Sequence, residues 1–470
     1  MTLKEQIHSW MTGREDEFVA ALAPLIAVDS TTGEAAPGMP FGPGPAKALE
    51  IAMNLAEGWG MSTWVDDGYV GTADLNDKED LLHILAHLDI VGAGDHWDTD
   101  PFTLVRDGDL IYGRGTEDDK GPAVAALLAM RCVKELGIPM KGNVKLILGT
   151  DEESGSKDLE HYYGSHPFAP HSVSPDVCFP VTNIEKAPYA PAFSCKWEVQ
   201  PETDAQLVSL HGGIRVNVAP GNCTVVIRNL PESAAKEAMA DVTAQTGVLF
   251  AASEENGLLT VEATGVQTHA SRPDGGKNAI TAMLELISRL PLAQDAAAQA
   301  MYQLHKLFPY GDNEGAALGI AAKDDISGKS TVTLSMVDLD STGFQARFDS
   351  RNALCATEES TQKKTEAVFA ALGWDCTGDF APGHWVDENS AFIQTLLETY
   401  EEFSGKKGYC EAIGGGTYVH HIPGGVAFGA GEHDFDSRVH GANERARISQ
   451  LLLTAEIYAA VIARICGESM

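Results

Sequence analysis

Leu81-Leu82-His83-Ile84-Leu85-Ala86 is a short apolar run that stops at His87-Leu88-Asp89, and its reading decides the fold. It reads as a strand. A helix-like stretch at 123–136 and a second short run, Val144-Lys145-Leu146-Ile147-Leu148, follow it. Strands alternating with helices in this way predict an α/β domain. The helix is expected to start after Lys120-Gly121-Pro122, because proline suits a first helical turn. It should end at Gly137, with Pro139 just beyond.

Further along the chain the texture changes. After Glu185, Pro188, Pro191 and Pro201 punctuate the sequence, and runs at 224–227, 258–261, 331–335 and 343–348 read as strands around a helix at 279–290. Near Pro382-Gly383 the chain leaves this stretch. A helix at 392–403, a turn at Gly414-Gly415-Gly416 and a closing helix at 446–466 follow. The expected organisation is a first domain built from residues 1–187 and 383–470, interrupted by an inserted α+β domain at 188–382.

Composition narrows the function. Of 470 residues, 33 are Lys or Arg and 67 are Asp or Glu, a net charge of −34 that repels nucleic acid and anionic lipid. Hydrophobic residues at 44% and charged residues at 21% are those of an ordinary globular chain. The polar start, Met1-Thr2-Leu3-Lys4-Glu5-Gln6-Ile7-His8, lacks the basic and apolar regions of a secretion signal. The apolar runs at 123–130 and 451–465 fall below the roughly 20 residues of a membrane span. Eight scattered cysteines without a CxxC pair suit reduced thiols. The expectation is a soluble cytoplasmic protein that binds neither nucleic acid nor membrane.

Five segments carry chemistry. His87 and Asp89 stand at a strand end, where α/β sheets gather functional groups. In Gly113-Arg114-Gly115-Thr116-Glu117-Asp118-Asp119-Lys120-Gly121 one acid suffices to cap the following helix, and three adjacent acids call for a cation between them. Gly149-Thr150-Asp151-Glu152-Glu153 also ends an apolar strand. Adjacent glutamates there can divide labour, one ligating metal and the other taking a proton. Ser174-Pro175-Asp176 adds an acid, and Ser437-Arg438-Val439-His440 adds a histidine. Two histidines and three ligating carboxylates, with Glu152 to spare, form a mixed N/O set that suits two zinc ions. His83 is read as a structural histidine. No GxSxG elbow supports a serine nucleophile, and neither glycine run fits a phosphate loop.

In order, His87-Leu88-Asp89, the 113–122 segment, Gly149-Thr150-Asp151-Glu152-Glu153, Ser174-Pro175-Asp176 and His440-Gly441-Ala442-Asn443-Glu444 resemble the M20 family of metallopeptidases. The likeness is strongest to its PepV-type dipeptidase branch, which includes Xaa-His dipeptidases and carnosinases. Trp97-Asp98-Thr99-Asp100-Pro101-Phe102, Asn217-Val218-Ala219-Pro220 and Gly414-Gly415-Gly416-Thr417-Tyr418 extend the match over both halves.

The resemblance implies a zinc-peptidase-like α/β catalytic domain, with a central mixed sheet flanked by helices, and an inserted α+β lid. It implies two Zn2+, or Mn2+ or Co2+ in their place. Asp118 bridges them, His87 and Asp176 complete one site, and Glu153 and His440 complete the other. Glu152 is the implied general base on the water between the metals, and Asp89 holds the His87 tautomer. The peptide bond from Asp118 to Asp119 is expected to be cis. On the lid, His269 would stabilise the oxyanion. Asn217 and Arg347 would grip a substrate carboxylate, and Gly415 would line the same pocket. Arg347 is followed by Phe348-Asp349-Ser350-Arg351 where the family reads Arg-Tyr-Pro, so Arg351 competes for its role; Arg347 is preferred because it ends an apolar strand.

The implied reaction is hydrolysis of dipeptides with free N- and C-termini, by a monomer or homodimer. A deacylase acting on N-acyl amino acids and a catalytically silent metal-binding scaffold are the alternatives.

Overall fold

The computed structural model describes residues 1–199, 201 and 204–468. It forms two units: Met1–Ile184 with Trp385–Glu411 and Gly416–Met470, and Glu185–His384 with Ala412–Gly415.

The first unit is organised around the run that opened the sequence reading. Asp80–His87 is a strand buried on both faces, which explains a continuous apolar sequence in place of alternation. It pairs in parallel with Asn143–Gly149 on one side and His171–Ser174 on the other. The sheet runs Ser62–Asp66, Val70–Asp74, Asn143–Gly149, Asp80–His87, His171–Ser174, Gly425–Ala427, Val181–Glu185, with antiparallel pairs toward both ends. Because the three central strands are parallel, the segments bearing His87, Glu152 and Asp176 leave the sheet at the same edge. His83 is internal, bonding Tyr163 Oη at 2.9 Å and Asp80 at 3.3 Å.

The helix expected after Pro122 spans Lys120–Glu135, three residues earlier. Proline at its third position costs nothing there, since the first N–H groups of a helix have no intrahelical partner. Ile448–Cys466 packs beside it in the same core. Among the described residues that helix alone is long and apolar enough to cross a membrane, longer than the 451–465 run suggested, and it is mostly buried inside the unit. Ala391–Ser404 is capped by the Ser390 hydroxyl, which accepts from the Ile393 N–H.

The main sheet of the second unit is antiparallel. Its order is Leu249–Glu255, Leu258–Thr264, Asn222–Arg228, Gln206–Gly212, Thr331–Asp340, Gly343–Asn352, Ala192–Lys196, Asp375–Thr377. Helices Glu232–Thr246, Ala279–Ile287, Ala296–Leu307 and Lys364–Ala371 complete an α+β body with its own core. Ala412–Gly415 groups with this unit although it lies far along the chain. The Lys186 N–H donates to Ile413 O at 3.0 Å and Arg351 Nη1 to Gly414 O at 2.7 Å. All eight cysteines are free thiols.

Candidate metal centre

His87 is the last residue of its strand and is 1% exposed. Its Nδ1 lies 3.0 Å from the Asp89 carbonyl, which turns Nε2 toward Asp118 Oδ1 at 2.9 Å and Asp176 Oδ2 at 3.8 Å. The sequence reading gave the Asp89 carboxylate the task of orienting His87. The nearer partner is instead the Asp89 backbone carbonyl, and Asp89 Oδ1 stands 3.5 Å away. Fully buried, that carboxylate accepts the backbone N–H groups of Glu152 at 3.2 Å and Glu153 at 3.0 Å. It thus fixes the one-turn helix Glu152–Ser154 that presents both glutamates.

Asp118 joins two groups of donors. Its Oδ1 meets His87, and its Oδ2 lies 2.9 Å from His440 Nε2, which also meets Glu153 Oε1 at 3.0 Å. Donor atoms of His87, Asp118 and Asp176 lie within 4.8 Å of one another, as do those of Asp118, Glu153 and His440. The Asp118-Asp119 peptide is cis. Burial would raise the Asp118 carboxyl, but hydrogen bonds from His440 and His87 hold it far below the usual range. Burial would likewise depress His440, yet Asp118 and Glu153 raise its imidazole to about 10.

Asp176 and Glu152 go the opposite way. Burial, then the Asp118 charge, lifts Asp176 well above its ordinary value. Glu152 is lifted by burial first and by Glu153, Asp89 and Asp118 after it, against His87. Among the described residues the Glu152 carboxylate accepts no hydrogen bond, and no lysine or arginine pairs with Asp118, Glu153 or Asp176 within 4.0 Å. Two imidazoles and three carboxylates converging without a basic side chain are donor chemistry for divalent cations, and these residues fit a metal centre. Glu117 belongs to neither triad; burial, with Glu444 and Asp118 beside it, pushes its carboxyl up to about 8.

Sequence reasoning assigned no role to the residues that support this arrangement. Glu444 is fully buried and accepts from the N–H groups of Gly115, Glu117 and Asp118 at 3.0, 3.0 and 3.1 Å, and from Arg114 Nη1 at 2.5 Å. Lys120 donates from Nζ to the carbonyls of Leu25 and Val28, both at 2.9 Å, and burial lowers it to about 7. Asp158 accepts from the N–H groups of Thr150 and Asp151 at 2.6 and 3.0 Å and from the Tyr418 hydroxyl. Gly149 makes room for this, since a Cβ there would fall 1.9 Å from Tyr418 Oη. Glu444 had one readable signal: a turn with three glycines leaves backbone donors that need an acceptor.

In the second unit, the pairing of Val218 with His269 and the bond from Ala270 N–H to Asn217 O at 2.8 Å set Asn217 beside the His269 turn. His269 Nδ1 lies 2.7 Å from Ser271 Oγ. Arg351 binds both Asp349 oxygens, at 2.8 and 2.9 Å, as well as Gly414 O. The side chain of exposed Arg347 donates to Ala190 O at 3.1 Å, its one bond among the described residues. Gly415 follows Gly414 in the same unit.

Comparison with known proteins bears on this geometry. A profile of peptidase family M20/M25/M40 matches residues 83–464. A Bacillus subtilis protein named "Putative dipeptidase YtjP" is 32% identical over 447 residues, 93% of each chain. A Staphylococcus haemolyticus protein named in the same terms is 30% identical over 482 aligned positions, 99% of each chain. Human carnosine dipeptidase 1 shares the fold, with a TM-score of 0.60 at 16% identity and 99% of each chain covered.

Proposed function

This chain belongs to peptidase family M20/M25/M40 and is a hydrolase, and from that premise we propose that it cleaves dipeptides bearing free N- and C-termini at a two-metal centre with Glu152 as general base. The observation that carries the reading is the pair of donor triads sharing Asp118, with the unbonded carboxylate of Glu152 beside them. His87, Asp118 and Asp176 would hold one cation, and Asp118, Glu153 and His440 the other. Zinc is the first candidate, with manganese or cobalt as substitutes. Such cations, when bound, polarise the scissile carbonyl and acidify water.

The remaining work falls to the chain. Glu152 Oε takes a proton from the attacking water and returns it to the leaving amine nitrogen, a transfer that favours a carboxyl raised toward neutral pH. Asp89 keeps Glu152 and Glu153 at their stations through two backbone bonds. Glu444 does the same for Asp118 by gathering the N–H groups of its turn. On the inserted unit, which we read as a lid, Asn217, Arg347 and Gly415 bind the substrate and His269 stabilises the oxyanion. Arg347 is favoured over Arg351 because both carboxylate oxygens of Asp349 already occupy the Arg351 fork.

The test is a panel of unblocked dipeptides, N-acetyl amino acids and a tripeptide, given to zinc-loaded protein and to Glu152→Ala. Release of amino acids from unblocked dipeptides alone, lost in the variant, is the expected result. Release from acylated amino acids alone would move the protein to deacylation. Silence over the whole panel with zinc bound would leave a scaffold.

A further inference from the structure

A second place where donors converge lies outside the His87–His440 cluster. The hairpin joining Ser62–Asp66 to Val70–Asp74 turns through Asp66-Asp67-Gly68-Tyr69, closed by the Tyr69 N–H donating to Asp66 O at 2.8 Å. Helix Lys157–Tyr163 lays His161 against it, with the imidazole stacked on the Tyr69 ring at 4.0 Å and 8°. Donor atoms of Asp66, Asp67 and His161 lie within 4.8 Å of one another.

The decisive atom is Asp66 Oδ2. Asp66 is 8% exposed, and its Oδ2 is buried with no hydrogen-bond partner. It faces His161 Nε2 at 3.7 Å. That separation is too long for a hydrogen bond. It suits two ligands of one ion: donors about 2.0–2.2 Å from a common metal, at tetrahedral to trigonal angles, stand about 3.3–3.8 Å apart. Among the described residues no lysine or arginine lies within 4.0 Å of either aspartate to satisfy this oxygen. An imidazole nitrogen beside two carboxylates selects zinc-like cations over calcium or magnesium, which prefer oxygen alone.

We propose that Asp66, Asp67 and His161 form a third cation site, binding a zinc-like divalent ion completed by water and separate from the catalytic pair. Its place in the fold gives it a task. Asp66 and Asp67 belong to the hairpin, whereas His161 belongs to the helix whose Asp158 holds the N–H groups of Thr150 and Asp151, immediately before Glu152. A cation there ties the sheet edge to the element that seats the catalytic glutamates.

The test counts zinc on the full chain by equilibrium dialysis at about 10 µM free ion, followed by elemental analysis. The comparison is between parent, His161→Phe, Asp118→Ala and the double variant, with circular dichroism as the check on folding. Phenylalanine keeps the ring against Tyr69 and removes the donor nitrogen. His161→Phe is expected to lose one zinc equivalent in both the parent and the Asp118→Ala backgrounds. Asp67→Asn, at an exposed turn position, should weaken the same equivalent at least about tenfold and carries the test if His161→Phe does not fold. Equal zinc counts with and without these substitutions would overturn the proposal.

Discussion

Replacing Asp89 by Asn tests how Glu152 and Glu153 are held. The substitution preserves shape and removes one acceptor. Asp89 is fully buried, and its two oxygens accept from Glu152 N–H at 3.2 Å and Glu153 N–H at 3.0 Å. Asparagine offers one oxygen, so its amide group must face one of these donors, leaving that N–H unpaired in a buried site. A hydrogen bond to a charged acceptor contributes about 1.5–3 kcal/mol, and demoting the second to a neutral bond loses about 1 kcal/mol more. The sum, about 2.5–4 kcal/mol, falls on the turn that carries both the proposed base and a proposed ligand. Expressed in catalysis, it amounts to a loss of about 70- to 900-fold in kcat/KM.

The His87 orientation should survive, because the nearer partner of Nδ1 is the Asp89 carbonyl, which asparagine retains. The assay is steady-state dipeptide hydrolysis with zinc content measured on the same samples, for Asp89→Asn, Glu153→Gln and the double variant. Residues that act through one turn are expected to couple, so the double variant should lose far less than the product of the single losses. An Asp89→Asn enzyme within about threefold of the parent, or losses that multiply fully with Glu153→Gln, would refute the reasoning.

Glu152→Gln should lower kcat by about 100- to 10,000-fold while keeping the parent's zinc content, and a variant that loses metal instead would make Glu152 a ligand. Arg347→Ala is expected to raise KM for dipeptides more than Arg351→Ala does, whereas Arg351→Ala should lower thermal stability by freeing Asp349 and Gly414; the reverse order in KM would reassign the clamp. On the proposed reading, zinc displaces the proton that the raised His440 imidazole holds in the metal-free site. Affinity should therefore climb as pH rises from about 6.5 toward 10, with proton uptake by buffer visible in calorimetry. The sign for the metal-free fold is opposite: a histidine raised from 6.5 to about 10 stabilises fully below 6.5, and that contribution is lost as pH rises through 10. A flat thermal midpoint for metal-free protein across this window, with His440→Ala identical to it, would contradict this.

Residues whose side-chain donors the structure brings together were legible in the sequence, and residues that act on distant backbone were not. His87, Asp118 and Asp176 each announce themselves as a polar group ending an apolar run or crowding a turn. Lys120 does not, because its partners are the carbonyls of Leu25 and Val28, more than 90 positions away, and nothing local marks them. The same holds for Ala412–Gly415, whose membership of the inserted unit rests on bonds to Lys186 and Arg351. Asp89 shows the intermediate case. Its neighbourhood to His87 was readable, but the two N–H groups it serves come from a turn over 60 residues later.

The buried acids of this unit sort by what their oxygens already hold. Asp89, Asp158 and Glu444 each accept backbone N–H groups at both oxygens, although burial still raises the carboxyls of Asp158, to about 6, and of Glu444. Asp118, Glu153 and Asp176 face imidazoles, and the Glu152 carboxylate accepts no bond among the described residues. Neutralising the first group therefore removes support for a loop, whereas neutralising the second removes a proposed ligand or the proposed proton carrier. Asp119 tests the rule: one oxygen accepts the His87 N–H at 3.2 Å and the other is buried without a partner, while burial pushes its carboxyl well up. By the sorting it is half support, so Asp119→Asn, which keeps the acceptor toward His87, should retain most of the zinc and activity that Asp118→Asn loses.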